Sequence, residues 1–368
     1  MSHLRTILNL VDEVSSVNYG IWHAAIATSK SLLENHGIES WLVSSRFDAS
    51  FKPELFPWLK VRMVSEVSTE SAADFLSEFR PEETVVASHG CWQFPTRWGD
   101  IALKLGFAWV YTPHGMLEPW SMGQKAWKKI PYFHLVEKRL ASQATLVRAV
   151  GRPELSNLKK HFKNAVHIPN GIYQEELSPA SEIDSRSFTE NRFLFLARLH
   201  HKKNVVTLAN AWIKSSLAGK PEFILRIAGT DDGEKAAIEK ILNEHPACGI
   251  EFLGPVFGEA KKKLLSDSDF YLLPSLSEGF PTSVVEAAGS GLICLISEGC
   301  NFPELLDAGL ALNSGMSEAS IRSVLEYAVN LDPEKRKQLC TEAGKLIQGE
   351  FLWEKIAAKQ ASEYSRLV

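Results

Sequence analysis

Short runs rich in β-branched and aromatic residues alternate with longer amphipathic stretches along this whole chain. Runs of three to seven such residues are too short for helices and read as strands, while the stretches between them carry apolar residues at helical spacing. Strands separated by helices cannot pair as hairpins. They must lie parallel, with helices packed on both faces of the sheet. Strands are expected at 5–11, 40–44, 84–88, 109–112, 145–149 and 166–168, then at 192–197, 222–228, 250–253, 270–273 and 292–296. Helices are expected at 19–36 and 97–105. The 368 residues are more than one ordinary core serves, which implies two domains of roughly 150–200 residues each. The polar stretch 173–189, poor in large apolar residues, falls just before the second series of units and reads as the linker. The expected architecture is α/β, with two doubly wound Rossmann-like domains, 1–173 and 174–350, facing across a cleft suited to a ligand kept from water.

Composition narrows the function classes. Hydrophobic residues at 45% and charged residues at 23% suit a soluble globular protein. A net charge of −4 supplies no basic field for nucleic acid. The five cysteines are scattered without a Cys-x-x-Cys pair, so neither a zinc site nor a disulfide framework is indicated and a reducing cytoplasm is the expected setting. Asp12 and Glu13 interrupt the apolar opening, so no secretory leader is expected. No run approaches the ~20 apolar residues of a membrane span.

The segment 277–289, Ser-Glu-Gly-Phe-Pro-Thr-Ser-Val-Val-Glu-Ala-Ala-Gly, follows the apolar run 270–273 and Pro274. Strand, polar loop and helix succeed one another there, and ligands of open α/β sheets bind at the carboxyl ends of strands. Thr282 and Ser283 fall where the helix should start, so its unpaired N–H groups favour an anion such as phosphate. Glu278 in the loop and Glu286 one turn into the helix place two carboxylates beside that pocket, each able to accept hydroxyl protons. The run 195–204 also leaves a strand for a helix; it is either a solvated basic loop or a site where Arg198 and Lys203 close on a diphosphate, by fork and by point charge respectively.

These segments resemble the signatures of glycosyltransferase family 4, the retaining GT-B enzymes that use nucleotide-sugar donors. The family's two glutamates, with seven residues between them in S-x-E-G-F/x-P/G-x-x-x-x-E-A-x-A/G-x-G, align with Glu278 and Glu286. Its G-R-L-x-x-x-K-G aligns with Arg198, Leu199 and Lys203, departing at Ala197 and Asn204, where glycines are usual. The resemblance implies that Arg198 and Lys203 bind the donor phosphates, that Glu278 holds sugar hydroxyls, and that Glu286 holds ribose hydroxyls. It also implies backbone contacts from Gly279, Phe280 and Pro281, with Thr282 and Ser283 at the helix start. The turn at Leu253-Gly254-Pro255-Val256 resembles the segment that meets the nucleobase, making Val256 a candidate there; alternatively Gly-Pro only turns the chain.

In the first half, Pro113-His114-Gly115-Met116-Leu117-Glu118-Pro119-Trp120 looks like a family 4 subgroup of bacterial polysaccharide assembly, in which a histidine contacts the donor sugar near the reacting carbon. That role passes to His114, with Glu118 as a partner for donor or acceptor. Gly20 corresponds in part to a Gly-rich turn at donor phosphate or acceptor. Asn18 and Tyr19 are acceptor candidates, as are His89 and Trp92, for which packing is the other reading. The segment 148–154 lacks the Ser-Glu usual in the family. The GT-B pattern further implies that a helix over 351–368 crosses back to the first domain.

Asp267-Ser268-Asp269 has the form of a metal-binding Asp-x-Asp, but it precedes a strand and reads as solvated punctuation, and the GT-B pattern generally needs no metal or other cofactor. Aromatic and basic residues interleave from Trp120 to Arg139; they either rest on an anionic membrane surface or combine core packing with a solvated basic face.

The resulting expectation is a retaining, metal-independent glycosyltransferase in polysaccharide biosynthesis, with His114, Glu278, Arg198 and Lys203 as its catalytic set. The donor would be a UDP-sugar, UDP-glucose in particular, and the acceptor a saccharide or lipid-linked saccharide. The protein would be cytoplasmic, with peripheral association at the inner membrane face as a further expectation. A nucleotide-sugar 2-epimerase of the same fold and a non-catalytic sugar-nucleotide binding module are the alternatives.

Overall fold

A computed structural model describes residues 3–49, 51–179, 183 and 191–368. The expected linker, 173–189, therefore lies partly outside the described residues. The chain divides into two compact units, Met1–Gly171 with Trp353–Val368, and Ile172–Leu352.

The first unit is built on a seven-stranded sheet in the order β3-β2-β1-β4-β5-β6-β7. Its strands are β1 (Thr6–Val14), β2 (Glu39–Phe47), β3 (Leu59–Met63), β4 (Thr84–His89), β5 (Ala108–Thr112), β6 (Leu146–Ala149) and β7 (Ala165–His167). All neighbours pair in parallel. Helices cover both faces, so the central strands read as unbroken buried runs rather than alternating ones; every residue of β4 and β5 is buried. β3 escaped the sequence reading because its edge position leaves only Leu59 buried. The helix expected over 19–36 is two, Tyr19–Ile26 and Ser29–His36. At the break, Thr28 Oγ1 donates to Gln360 Oε1 at 2.9 Å, so the C-terminal helix Trp353–Tyr364 is tied into this unit.

The second unit carries a six-stranded sheet in the order β10-β9-β8-β11-β12-β13. Its strands are β8 (Arg192–Leu196), β9 (Ile224–Ala228), β10 (Ile250–Gly254), β11 (Phe270–Leu273), β12 (Ile293–Ile296) and β13 (Leu312–Asn313), again all parallel. β13 has two residues, too few for any periodicity to announce it. Phe193 of β8 and Phe270 of β11 stack at 4.5 Å, sealing the junction where the order of winding reverses. In open α/β sheets that reversal is where loops part and ligands bind.

Helix and sheet of the first unit approach closely at Gly99, on the helix Phe94–Lys104. A Cβ there would stand 2.1 Å from Nε1 of the buried Trp109. Gly99→Ala raises helix propensity, a gain of about 1 kcal/mol, but forces indole and helix apart, an overpacking cost of about 1–3 kcal/mol or more. The expected outcome is net destabilisation, read as a lower urea midpoint. An unchanged or higher midpoint would show that the contact yields freely.

Candidate active site

In the second unit the reversal sets the loop after β8 beside the loop after β11. The first loop runs through Ala197 and Arg198 to a 3₁₀ turn, His201–Lys203, and then to the helix Val205–Ile213. Leu276 N donates to Lys202 O at 2.8 Å, locking the two loops together. Across this junction Lys203 Nζ meets Glu278 Oε1 at 2.7 Å, with the side chains only 16% and 7% exposed. Ser275 Oγ donates to the same oxygen at 2.6 Å, and Asn301 Nδ2 donates to the Glu278 carbonyl.

The departures from the glycine pattern are explained locally. Asn204 sits at φ 62°, ψ 29°, a left-handed conformation that asparagine tolerates better than most residues. Its Nδ2 donates to Pro274 O and Met316 O, contacts a glycine lacks. Ala197 lies outside the left-handed region, so a methyl is allowed there.

Arg198 is held differently. It pairs with Asp232 at 2.7 Å, both partners well exposed at 57% and 37%, an arrangement worth only about 0–1 kcal/mol. Glu286 is buried and meets Lys261 Nζ at 2.9 Å, with Glu176 on the other side of the lysine at 3.6 Å. Burial raises the Glu286 carboxyl above its usual range while Lys261 opposes the shift. Burial also works against the Lys261 charge, but Glu286 and Glu176 outweigh it and raise its pKa. The sequence gives no sign of Lys261, one of three adjacent lysines, because its partners lie 25 residues ahead and 85 behind.

The helix after β11 runs from Thr282 to Gly289. Tyr271 OH lies 3.0 Å from Leu196 O and 2.7 Å from Ser283 Oγ. Because the carbonyl only accepts, the tyrosine proton goes to Leu196 and Ser283 donates inward to Tyr271. The Ser283 hydroxyl is thus turned to the strand, correcting any picture of it as a loose phosphate donor; Thr282 is exposed. Among the described residues no acceptor takes the backbone N–H of Gly279, Phe280 or Ser283. Phe280 packs on Phe302 and Phe351, and Pro281 is the N-cap residue. Val256 follows the β10 turn, partly buried against the core.

The Asp-x-Asp carboxylates have structural partners: Asp269 Oδ2 accepts from Arg192 N, and Asp267 pairs with Lys263.

In the first unit, His114 follows β5 with φ 53°, a conformation costing a side-chain-bearing residue roughly 1–2 kcal/mol. It is held there from both sides. Gly115 N donates to Glu154 Oε1 at 2.5 Å, and Val150 N to Glu154 Oε2 at 2.7 Å, so one buried carboxylate ties the turn to the end of β6. The stretch that lacks the family's Ser-Glu therefore does carry a working glutamate. His89 is buried with both ring nitrogens engaged, Nδ1 with His114 and Nε2 with Asn9. It stands behind His114, which corrects its placement as an acceptor contact. Glu118 is likewise buried, both oxygens accepting from Asn157 Nδ2, and holds the turn rather than facing a ligand. Trp92 is partly buried and meets Tyr132 edge-on at 5.8 Å, a packing role. Gly20 opens onto empty space at the start of its helix, beside the exposed Tyr19 and partly buried Asn18. The basic-aromatic run divides: Phe133 is core, whereas Trp127 and Leu135 are each 74% exposed.

Burial pushes Glu154 from 4.5 up to about 7, against its two N–H donors and with help from Glu118. The folded state then keeps a proton that the unfolded chain has released, so this group's contribution to stability falls as pH rises from 4.5 to about 7. Glu154→Gln loses one acceptor oxygen, costing about 1–3 kcal/mol. It is expected to lower Tm and to flatten its decline over that pH window; an unaltered slope would refute the assignment.

Residues 180–345 match the family model described as glycosyl transferases group 1. Among curated relatives, EpsF of Bacillus subtilis is 29% identical over 249 residues, covering 63% of this chain and 62% of that one. The phosphatidylinositol N-acetylglucosaminyltransferase gpi3 subunit of Schizosaccharomyces pombe is 23% identical over 295 residues, covering 77% and 61%. The chain thus spans about three fifths of the length of these relatives. Among solved structures, HepE of Anabaena in complex with UDP and glucose superposes with a TM-score of 0.77 at 16% identity, covering 98% of this chain and 100% of that one. Sucrose-phosphate synthase of Thermosynechococcus elongatus gives 0.76 at 16%, covering 99% of each. Residues 180–345 are therefore similar to group 1 glycosyl transferases, in a chain whose two Rossmann-like units have the fold of GT-B glycosyltransferases.

Proposed function

We propose that this protein moves a hexosyl group from a UDP-sugar, UDP-glucose in particular, to a hydroxyl of a saccharide or lipid-linked saccharide. Transfer proceeds with retention and without a metal ion. The observation that carries this reading is the meeting of Lys203, Glu278 and the Thr282 helix start at the winding reversal of the second unit. Unpartnered N–H groups and a lysine suit the two phosphates of a nucleoside diphosphate. Arg198, tethered among the described residues by one exposed carboxylate, turns to them at little cost. HepE, of like fold, was solved with UDP and with UDP-glucose, which supports the choice of base.

In the proposed reaction the bond from anomeric carbon to diphosphate oxygen breaks as the acceptor oxygen bonds to the same face. The acceptor proton passes to the departing diphosphate, whose charge Lys203, Arg198 and the helix start stabilise. Glu278 and Glu286 accept from sugar and ribose hydroxyls, with Gly279, Phe280 and Pro281 lining the donor and Val256 at the base. From the first unit we assign His114 to the donor sugar, Gly20 to phosphate or acceptor, and Asn18 and Tyr19 to the acceptor. A lipid-linked acceptor is supported by relatives whose names specify phosphatidylinositol substrates. The exposed Trp127, Ile130 and Leu135 beside Lys128 suit peripheral docking at a cytoplasmic membrane face.

Incubation with UDP- and GDP-sugars, with and without saccharide acceptors, tests the reading. Acceptor-stimulated release of UDP is expected; conversion of donor alone would establish the epimerase, and binding without turnover the non-catalytic module. Lys203→Ala leaves Glu278 as an uncompensated buried charge, so a stability loss of about 3 kcal/mol is expected alongside lost turnover. Adding Glu278→Gln should restore the urea midpoint but not the turnover. A Lys203→Ala protein that releases UDP at the wild-type rate would remove the phosphate assignment.

A further inference from the structure

Asn9 lies buried within β1, between the strand carrying Trp41 and the strand ending in His89. Its Nδ2 donates to Trp41 O at 3.1 Å. A carbonyl only accepts, so this bond fixes which way the amide faces, and Oδ1 must be the atom 3.1 Å from His89 Nε2. An amide oxygen has no proton to give, so His89 Nε2 carries one. A neutral imidazole has a single N–H, which leaves His89 Nδ1 as a lone pair. His114 Nε2, 2.9 Å from that lone pair, must then be the donor. By the same count His114 Nδ1 is a lone pair. Among the described residues it has no hydrogen-bond partner, and it is not among the buried polar atoms shut off from solvent.

The chain of reasoning requires neutral rings, and the surroundings supply that condition. Burial pulls His114 down to about 3, and Arg148 pushes in the same direction. Burial, His114 and Arg148 together hold His89 well below its ordinary value. Arg148 is itself buried and anchored by Ile168 O, Pro169 O and Asn170 Oδ1, so its charge cannot swing away. Which nitrogen of a histidine is protonated is set by the bond its other nitrogen makes; here that bond is set two links back along the hydrogen-bond chain, by an amide in the first strand.

We propose that Asn9, acting through His89, is a positioning residue that fixes His114 with Nδ1 unprotonated, as an acceptor for a hydroxyl of the bound sugar. The proposal rests on the reading of His114 as a donor-sugar contact, but its first test does not. Without an oxygen at position 9, the buried His89 N–H is unsatisfied, and the ring does better to shift its proton to Nδ1 and donate to His114 Nε2. His114 then becomes protonated on Nδ1 and no longer accepts there.

Long-range ¹H–¹⁵N spectra of protein labelled in the histidine rings read both tautomers directly. In the wild type, His114 and His89 are each expected to carry their proton on Nε2. In Asn9→Leu a population of His114 protonated on Nδ1 is expected, and Asn9→Asp, which keeps an oxygen facing His89, should retain the wild-type pattern. Asn9→Ala serves the same purpose should the leucine not fit. The donor kcat/KM for UDP release in Asn9→Leu should fall about tenfold, as for one lost hydrogen bond to the bound sugar, with recovery in Asn9→Asp. A wild-type His114 protonated on Nδ1, or a tautomer indifferent to position 9, would overturn the relay whatever the protein's activity. A shifted tautomer with undiminished turnover would overturn the positioning role while leaving the donor site intact.

Discussion

The chemistry of the second unit depends on a single adjacency, that of β8 and β11. Phe193 and Leu194 pair with Phe270 and Tyr271, although more than 70 residues separate the two strands in sequence. Because both strands run the same way, their carboxyl ends emerge together, and each delivers one half of an ion pair. Neither half is stable alone in so shielded a place. A buried charge needs a partner and further hydrogen bonds to offset its lost hydration, and Glu278 has both in Lys203 and Ser275. Sheet pairing and site electrostatics are therefore one constraint seen at two scales.

The first unit uses buried polar groups for a related purpose, to fix loops rather than charges. Glu137 accepts from Tyr111, Thr96 and the backbone of Trp92. Glu154 holds the His114–Gly115 turn, and Glu118 is grasped by Asn157. Burial raises the pKa of both Glu137 and Glu154. Each gathers N–H or O–H donors from segments remote in sequence, so that a turn with left-handed residues is held firmly from behind.

How much of this the sequence discloses varies with the range of the interaction. Buried strands such as β4 and β11 announce themselves, since helices on both faces demand continuous apolar runs. Half-covered β3 and the two-residue β13 do not. Arg198, Lys203, Glu278 and Glu286 stand out because their motifs are local, and the helix start at Thr282 is visible in the same way. His89, Glu118 and Ser283 were assigned outward roles, and the structure turns each of them inward, because their partners Asn9, Asn157 and Tyr271 are set by folding and not by spacing. Lys261 and Glu154 went unnoticed for the same reason. The break at Thr28 was hidden because the helix that stabilises it arrives 332 residues later.

Asn204 shows what a departure from pattern can add. Glycine would grant the same left-handed bend, but its unfolded chain also roams more widely, and folding must confine that freedom. The asparagine narrows the roaming and stitches its amide to Pro274 O and Met316 O, drawing three separate stretches of backbone toward one point. A spot that could have been a hinge is here a rivet, so a glycine in its place would leave the trace of the chain unchanged while loosening the frame that carries the lysine next to it.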